Sequence, residues 1–341
     1  MPGLERQSAE SPPRYSVIIP VYNRPDEVDE LLSSLVDQTF KDFEVLILED
    51  GSLTRCDEIV DSYRDRLQLK YFFKPNSGPG PSRNFGFEHA RGDYFVVFDS
   101  DCMLPPSYFQ TVEDSLRANS WDAWGGPDRA HEQFTPAQQA MAYTMSSFLT
   151  TGGIRGKSVA VGSFQPRSFN MGLSRRAFEL TGGFRFSHFA EDIELSIRMR
   201  QAGLKVGLIP EAFVFHKRRA TFPQFFKQVS NFGRGRVQVG RAHRGEVKIT
   251  HWFPALFFLA LLALLPAALI SMALFKLGVI LFAIYLAAIM TDAYWQTRNI
   301  EVAVLSVPSA LVQMVGYGTG FLKEMLATRA KTRGTNTRRT G

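Results

Sequence analysis

The chain has 341 residues, 45% hydrophobic and 21% charged, with a formal net charge of +6. That length suits one large domain with an appendage. Two cysteines, Cys56 and Cys102, exclude a disulfide framework, and no Cys/His cluster has zinc spacing, so a reduced, cytosolic setting is expected. The charge is unevenly placed. Lys217–Lys248 holds nine Lys/Arg against one acid, and Thr328–Gly341 holds five against none. The remainder is therefore acidic, and the basic segments bracket an apolar C-terminal third. This pattern fits an anionic membrane surface and argues against nucleic acid as a partner.

Residues 1–13 are polar and rich in Pro and Ser, and read as a disordered lead-in rather than a signal peptide. Tyr15–Tyr22 reads as a buried first strand. Asp26–Gln38 has helical spacing, with Val28, Leu31, Leu32, Leu35 and Val36 on one face. Phe43–Leu48 is a second strand stopped by Asp50-Gly51-Ser52, Cys56–Leu67 a second helix, and Leu69–Phe73 a third strand. Gly78–Gly80 is a loop, Ser82–Ala90 a third helix, and Asp93–Phe98 a further strand. The alternation predicts an α/β fold: a mostly parallel sheet with helices on both faces.

Ser107–Ala118 follows as a helix. A less regular stretch then runs to about residue 165, with Gly125-Gly126 and Gly152-Gly153 suggesting mobile loops. Asp192–Ala202 is a helix stopped by Gly203, and Val206–Ile209 and Ala212–Phe215 are short strands. In residues 222–248, Phe225, Phe226, Val229 and Phe232 lie among Arg234, Arg236 and Arg241, which suits an interfacial amphipathic helix. Three apolar runs come next: Trp252–Phe275, Leu277–Thr291 and Val302–Leu322. Each approaches the length of a membrane crossing.

Basic residues before the first run and after the third both prefer the cytoplasmic side, which demands an even number of spans. Two full spans and one partial segment satisfy this. The third run, diluted by Ser306, Pro308, Ser309, Gln313 and three glycines, is the costliest to insert. Three spans with an external tail is the alternative. The expected organisation is a lead-in (1–13), a catalytic α/β domain (14–220), a basic amphipathic interfacial segment (221–250), membrane-embedded helices (251–327) and a basic disordered tail (328–341).

Chemistry concentrates at Asp99-Ser100-Asp101, which closes the strand-type run Asp93–Phe98. Ligands in open α/β sheets bind at strand ends. Paired carboxylates there are hard oxygen donors suited to Mg²⁺ or Mn²⁺, which in turn grip a diphosphate. Taken alone, Asp-x-Asp is more often a turn or a helix cap.

The pair stands in an ordered series: Val17-Ile18-Ile19-Pro20-Val21-Tyr22-Asn23-Arg24, Glu49-Asp50-Gly51-Ser52, Gly78-Pro79-Gly80-Pro81-Ser82-Arg83-Asn84, Asp99-Ser100-Asp101, Gly182-Gly183-Phe184, and Glu191-Asp192-Ile193-Glu194-Leu195 with Arg198. Over roughly residues 15–220 this resembles a non-processive, membrane-associated family 2 glycosyltransferase of GT-A (Rossmann-like) fold. The resemblance implies inverting transfer from a nucleoside-diphosphate sugar with Mn²⁺ or Mg²⁺.

Carried over by position, the resemblance implies that Pro20, Tyr22 and Arg24 line the nucleotide pocket. Asp50 would accept from a uracil-type imide or a ribose hydroxyl, with Glu49 where the family usually shows a further aspartate. Arg83 and Asn84 would shape the nucleoside pocket, in a segment that lacks the Gly-Lys-Ser/Thr of a phosphate loop. Asp99, Ser100 and Asp101 would meet donor and metal, Asp101 most directly. His216 is either a further ligand or a surface residue. Asp192 is the expected general base, which inversion requires, and Glu191 is the second choice. Asn170, Gly183 and Phe184 would form the acceptor side, and Glu194–Arg198 a structural ion pair.

Processive relatives carry Gln-x-x-Arg-Trp before their membrane helices, whereas Gln228–Phe232 lacks both Arg and Trp. Single-sugar addition to a lipid-linked or glycan acceptor is therefore expected. The expected location is the inner membrane, with the catalytic domain on the cytoplasmic side. A polyprenyl-phosphate glycosyltransferase and a non-catalytic membrane scaffold are the rival readings.

Overall fold

The computed structural model of the chain describes residues 11–129, 134–151, 164–216 and 221–336. It divides into two compact units. Residues 11–129 and 164–216 form the first. Residues 134–151 join 221–336 in the second, so the sequence boundary expected at 220 is crossed by an excursion from the first unit. The stretch expected to hold mobile loops lies partly outside the described residues, as do the lead-in up to residue 10 and the tail beyond 336.

In the first unit the elements run β1 (Tyr15–Val21), α1 (Pro25–Val36), β2 (Phe43–Asp50), α2 (Asp57–Asp61), β3 (Leu69–Lys74), α3 (Pro79–His89), β4 (Tyr94–Phe98), β5 (Cys102–Met103), α4 (Tyr108–Asn119), β6 (Ala123–Gly125) and β7 (Asp128–Arg129). In the second unit α5 (Pro136–Ser146) and α6 (Phe148–Thr151) follow. The first unit resumes with β8 (Asn170–Ser174), α7 (Arg175–Thr181), α8 (Glu191–Gln201), β9 (Val206–Leu208) and β10 (Val214–His216).

The main sheet has the order β3-β2-β1-β4-β8-β6-β9. β3, β2, β1 and β4 are mutually parallel, as the alternation of strands and helices predicts. β8 runs antiparallel to β4 and to β6, so the sheet is mixed. All eight residues of β2 are buried, the mark of a strand covered on both faces. Helix α2 is shorter than Cys56–Leu67. Beyond Asp61 the bonding tightens to i→i−3 contacts such as Tyr63 N to Val60 O (3.1 Å) and Arg66 N to Tyr63 O (3.0 Å).

Because four neighbouring strands are parallel, their C-terminal ends open on one edge. That edge carries Tyr22–Arg24, Asp50–Gly51, Asn76–Gly78 and Asp99–Asp101. A small second sheet, β5-β10-β7, sets His216 opposite Cys102.

The second unit continues with α9 (Phe222–Ala242), α10 (Phe253–Ile270), α11 (Met272–Thr297) and α12 (Ile300–Asn336). Three helical stretches are long and apolar enough to cross a membrane: Ile249–Ile270, Met272–Thr297 and Ile300–Ala327. The first two are nearly bare within their unit, with 17% and 6% of residues buried, whereas the third is 44% buried.

The cover on α12 is largely α9. The amphipathic helix read from the sequence turns Phe225 and Val229 inward. Glycines let the two backbones touch: a Cβ on Gly233 would lie 2.2 Å from Tyr317 O, and one on Gly320 2.1 Å from Ser230 O. Of the three glycines in the third run, Gly316 and Gly320 seat α9 and Gly318 seats α10. Near the end of α11, Asp292 accepts a 2.5 Å bond from Tyr143 of α5.

Gly320→Ala should therefore lower the thermal unfolding midpoint of the detergent-solubilised protein, since overpacking a close contact costs about 1–3 kcal/mol. Differential scanning fluorimetry checks it, and an unchanged midpoint would refute the close seat.

Candidate active site

The loop after β1 is tied to the loop after β2. Asn23, at φ +55°, accepts from Leu53 N (2.7 Å) and Thr54 N (3.1 Å), while its own N–H donates to Ser52 Oγ (2.8 Å). Pro20 lies inside β1, opposite Leu48. Tyr22 is 52% exposed on the open edge. Arg24 donates to Glu27 (2.6 Å) and to Asp101 Oδ2 (3.0 Å), bridging the first strand end to the fourth.

Asp50 is engaged by Lys74, Ser77 N (2.9 Å) and Gly78 N (2.8 Å). Burial would raise its pKa, but the Lys74 ammonium and the two N–H donors outweigh burial and hold it below the ordinary aspartate value. Glu49 faces the other way. One of its oxygens accepts from Cys56 N (2.9 Å), the Cys56 thiol (3.0 Å) and the Tyr71 hydroxyl (2.9 Å).

The Gly78-Pro79-Gly80 segment packs closely on other parts of the protein. Gly80 N donates to Ser187 O (3.1 Å), and a Cβ at Gly80 would lie 2.1 Å from Phe186 O. The N-terminus of α3 is thereby closed against residues 186–188.

One turn into α3, Arg83 is only 3% exposed and does not line an open pocket. Its guanidinium donates to Asp99 (2.8 Å) and to Glu191 (2.8 Å), and stands over the Phe184 ring. Asn84 is half-buried. Its amide exchanges two 2.8 Å bonds with the Phe184 backbone and pins the Gly182–Phe184 turn. A Cβ on Gly183 would meet Asn84 Oδ1 at 2.3 Å, and Phe184 is buried against Phe87. Asn170 is fully buried, accepting from Tyr108 (2.6 Å) and donating to Ala212 O (2.9 Å). Gly183, Phe184 and Asn170, expected on the acceptor side, are therefore framework.

Helix α8 begins at Glu191, with Asp192 in its first turn, where the helix dipole favours negative charge. Glu191 accepts from Arg83 and from Ser168 (3.2 Å). Burial and the adjoining Asp192 push its pKa up against the pull of Arg83. Asp192 is the less committed carboxylate: it caps its own Ile193 N–H (2.8 Å) and meets Arg167 at 3.5 Å. Glu194 and Arg198 form the expected i,i+4 pair, and Arg198 also donates to Thr181 O and Gly183 O (2.6 Å).

Among the described residues, Asp101, Cys102 and His216 bring possible metal-ligand atoms within 4.8 Å of one another. His216 Nε2 lies 3.0 Å from Asp101 Oδ1. Adjacent donors around an octahedral Mg²⁺-sized ion are about 3 Å apart, so the carboxylate and imidazole fit a hard divalent cation. Cys102 does not join them as a thiolate: burial, then Asp101 and Asp99, push its pKa well up, and its S–H points at Phe169 O (3.5 Å). Asp99 stands outside this group and is held by Arg83. The expected Asp99–Asp101 pair thus divides, with Asp101 and His216 as the candidate ligands. Ser100, buried beside them, meets Glu27 at 3.5 Å.

Removing one partner from a buried ion network costs about 3–5 kcal/mol, because it strands a charge. Arg83→Met should accordingly destabilise the protein by that order in denaturant unfolding followed by tryptophan fluorescence. A loss below about 1 kcal/mol, the scale of exposed pairs, would contradict the buried bridge.

Residues 16–179 match the family described as glycosyl transferase family 2. A Rickettsia conorii protein described as an uncharacterized glycosyltransferase is 43% identical over 104 residues, which is 30% of this chain and 17% of that protein. The validoxylamine A glucosyltransferase of Streptomyces hygroscopicus subsp. jinggangensis is 38% identical over 104 residues, 29% of this chain and 25% of that one. These matches span well under two thirds of the relatives' own lengths. A mannosyltransferase from Pyrobaculum calidifontis, solved with GDP-Man and Mn²⁺, superposes with a TM-score of 0.64 at 16% identity, covering 89% of this chain and 88% of that one. At that identity the likeness shows the fold alone. The motif order, the mixed sheet and the family match converge: the chain carries a glycosyl transferase family 2 domain of GT-A fold, followed by long apolar helices.

Proposed function

We propose that the protein is an inverting glycosyltransferase that moves a sugar from a nucleoside-diphosphate sugar to a hydroxyl of a membrane-borne or glycan acceptor. The observation that carries this reading is the Asp99–Arg83–Glu191 bridge. It joins the β4 end, with Asp101 and His216, to the start of α8, with Asp192. One group of acids then faces the donor diphosphate while another remains for the acceptor.

Asp101 and His216 are the residues that would hold Mn²⁺ or Mg²⁺. When bound, such a cation neutralises the charge that develops on the leaving diphosphate. Arg24 balances Asp101 and orients its second oxygen. Tyr22 and Asp50 offer the nucleoside an exposed ring and a carboxylate on the same sheet edge. Glu191 is fixed by Arg83 and Ser168, which leaves Asp192 as general base. Its carboxylate takes the proton of the acceptor hydroxyl as that oxygen attacks the anomeric carbon opposite the leaving group. The GDP-Man seen in the Pyrobaculum enzyme makes a guanosine donor the first to try, alongside uridine donors.

The bare faces of α10 and α11 suit a bilayer, and the basic residues of α9 favour the cytoplasmic leaflet. Together they support a location at the inner membrane with the catalytic unit on the cytoplasmic side.

Screening GDP- and UDP-sugars against a membrane lipid extract, with mass detection of the product, supplies the substrate pair. With that pair, Asp192→Asn should lower kcat by about 10²–10⁴-fold, the usual worth of a general base. The donor affinity measured by calorimetry should not change. Turnover left intact in the variant would instead favour an acceptor that needs no base, such as a polyprenyl phosphate.

A further inference from the structure

Between the metal-ligand candidates and the base lies a short turn, Arg167–Asn170, that the sequence motifs pass over. It is closed by Asn170 N to Arg167 O (2.9 Å) and anchored by the buried Asn170 amide on Tyr108 and Ala212. Each of its residues reaches a different part of the site. Arg167 meets Asp192 (3.5 Å) and Ser168 meets Glu191 (3.2 Å). The Phe169 ring stacks on the His216 imidazole, with centroids 4.7 Å apart and planes at 27°. The Phe169 carbonyl accepts from Cys102 (3.5 Å), the residue paired with His216 across the small sheet.

His216 needs such a support. β10 has three residues and pairs with the two-residue β5, so the strand fixes the backbone of His216 but not the plane of its ring. The residues on each side of a metal-binding imidazole set its orientation and hence its affinity for the ion. A flat aromatic stack restricts the ring to one plane. On its other edge, Nε2 faces Asp101 Oδ1 at 3.0 Å.

We propose that Phe169 is a positioning residue: its ring holds the His216 imidazole toward a divalent cation at Asp101, and the turn that carries it keeps this ligand in register with Asp192 and Glu191. The inference rests on the reading of His216 as a ligand.

The test uses the full-length protein in detergent with Mn²⁺ and GDP or UDP. Electron spin-echo envelope modulation detects a nitrogen ligand on Mn²⁺, and titration followed by electron paramagnetic resonance gives the affinity. Wild type should show nitrogen modulation that His216→Ala abolishes. Phe169→Met, which keeps the volume but not the flat ring, should lose most of that modulation and bind Mn²⁺ about 10-fold more weakly, the lower end of what loss of a supporting residue costs. Phe169→Tyr should retain both, and Phe169→Leu serves as the ring-less variant if Phe169→Met does not fold. Wild-type spectra without nitrogen modulation would overturn the ligand reading and this inference with it. Modulation and affinity unchanged in the ring-less variant would overturn the inference alone.

Discussion

A guanidinium buried to 3% exposure, with a carboxylate at 2.8 Å on each side, is the constraint on which the catalytic unit depends. Burying a charge is costly unless it is paired and hydrogen-bonded. Arg83 therefore holds Asp99, at the end of β4, and Glu191, at the start of α8, in one relation to each other. Those elements are far apart in the chain. The bridge makes the ends of a strand and a helix, which would otherwise be independent loops, into one acidic surface. It also separates the partners of neighbouring acids: Asp99 and Glu191 are tied to Arg83, while Asp101 meets Arg24 and His216 and Asp192 meets Arg167.

A second set of restraints acts around the first. Asn23 and Ser52 lock the loops after β1 and β2, Arg24 ties the first loop to Asp101, and Asn84 clasps the Phe184 backbone. The glycines at 78 and 80 serve the same end, allowing residues 186–188 to lie directly on the start of α3. The motifs of the chain thus include a set of interlocks that hold a few acids in place.

Much of the fold was legible in the sequence, for a plain physical reason. β1, β2 and β4 are largely apolar runs, and β2 and β4 give way to Asp50-Gly51-Ser52 and Asp99-Ser100-Asp101, as strands covered on both faces and ending in loops do. β8 was not legible: Asn170-Met171-Gly172-Leu173-Ser174 has two large apolar residues and a glycine that admits Trp124. α5 and α6 carry no sign that they belong with residues 221–336 rather than with the sheet. The order of motifs indicated which backbone positions gather at the site. Spacing says nothing of side-chain direction, so the buried bridge of Arg83 and the clasp of Asn84 on Phe184 were not legible, and Arg167, Ser168 and Phe169 went unread. In the C-terminal region hydropathy found the three helices. It did not show that the glycines of the third seat neighbouring helices, because composition alone carries no information on helix packing.

The central claim of the proposal is that Asp101, with His216, holds a divalent cation against a nucleoside diphosphate. Isothermal titration of the full-length protein with GDP and with UDP, in Mn²⁺ and again in excess chelator, tests it most directly. The account predicts that one of the two binds tightly only when Mn²⁺ is present, and that Asp101→Ala removes the difference. Binding that is indifferent to Mn²⁺, or a metal dependence that survives the loss of Asp101, would contradict it.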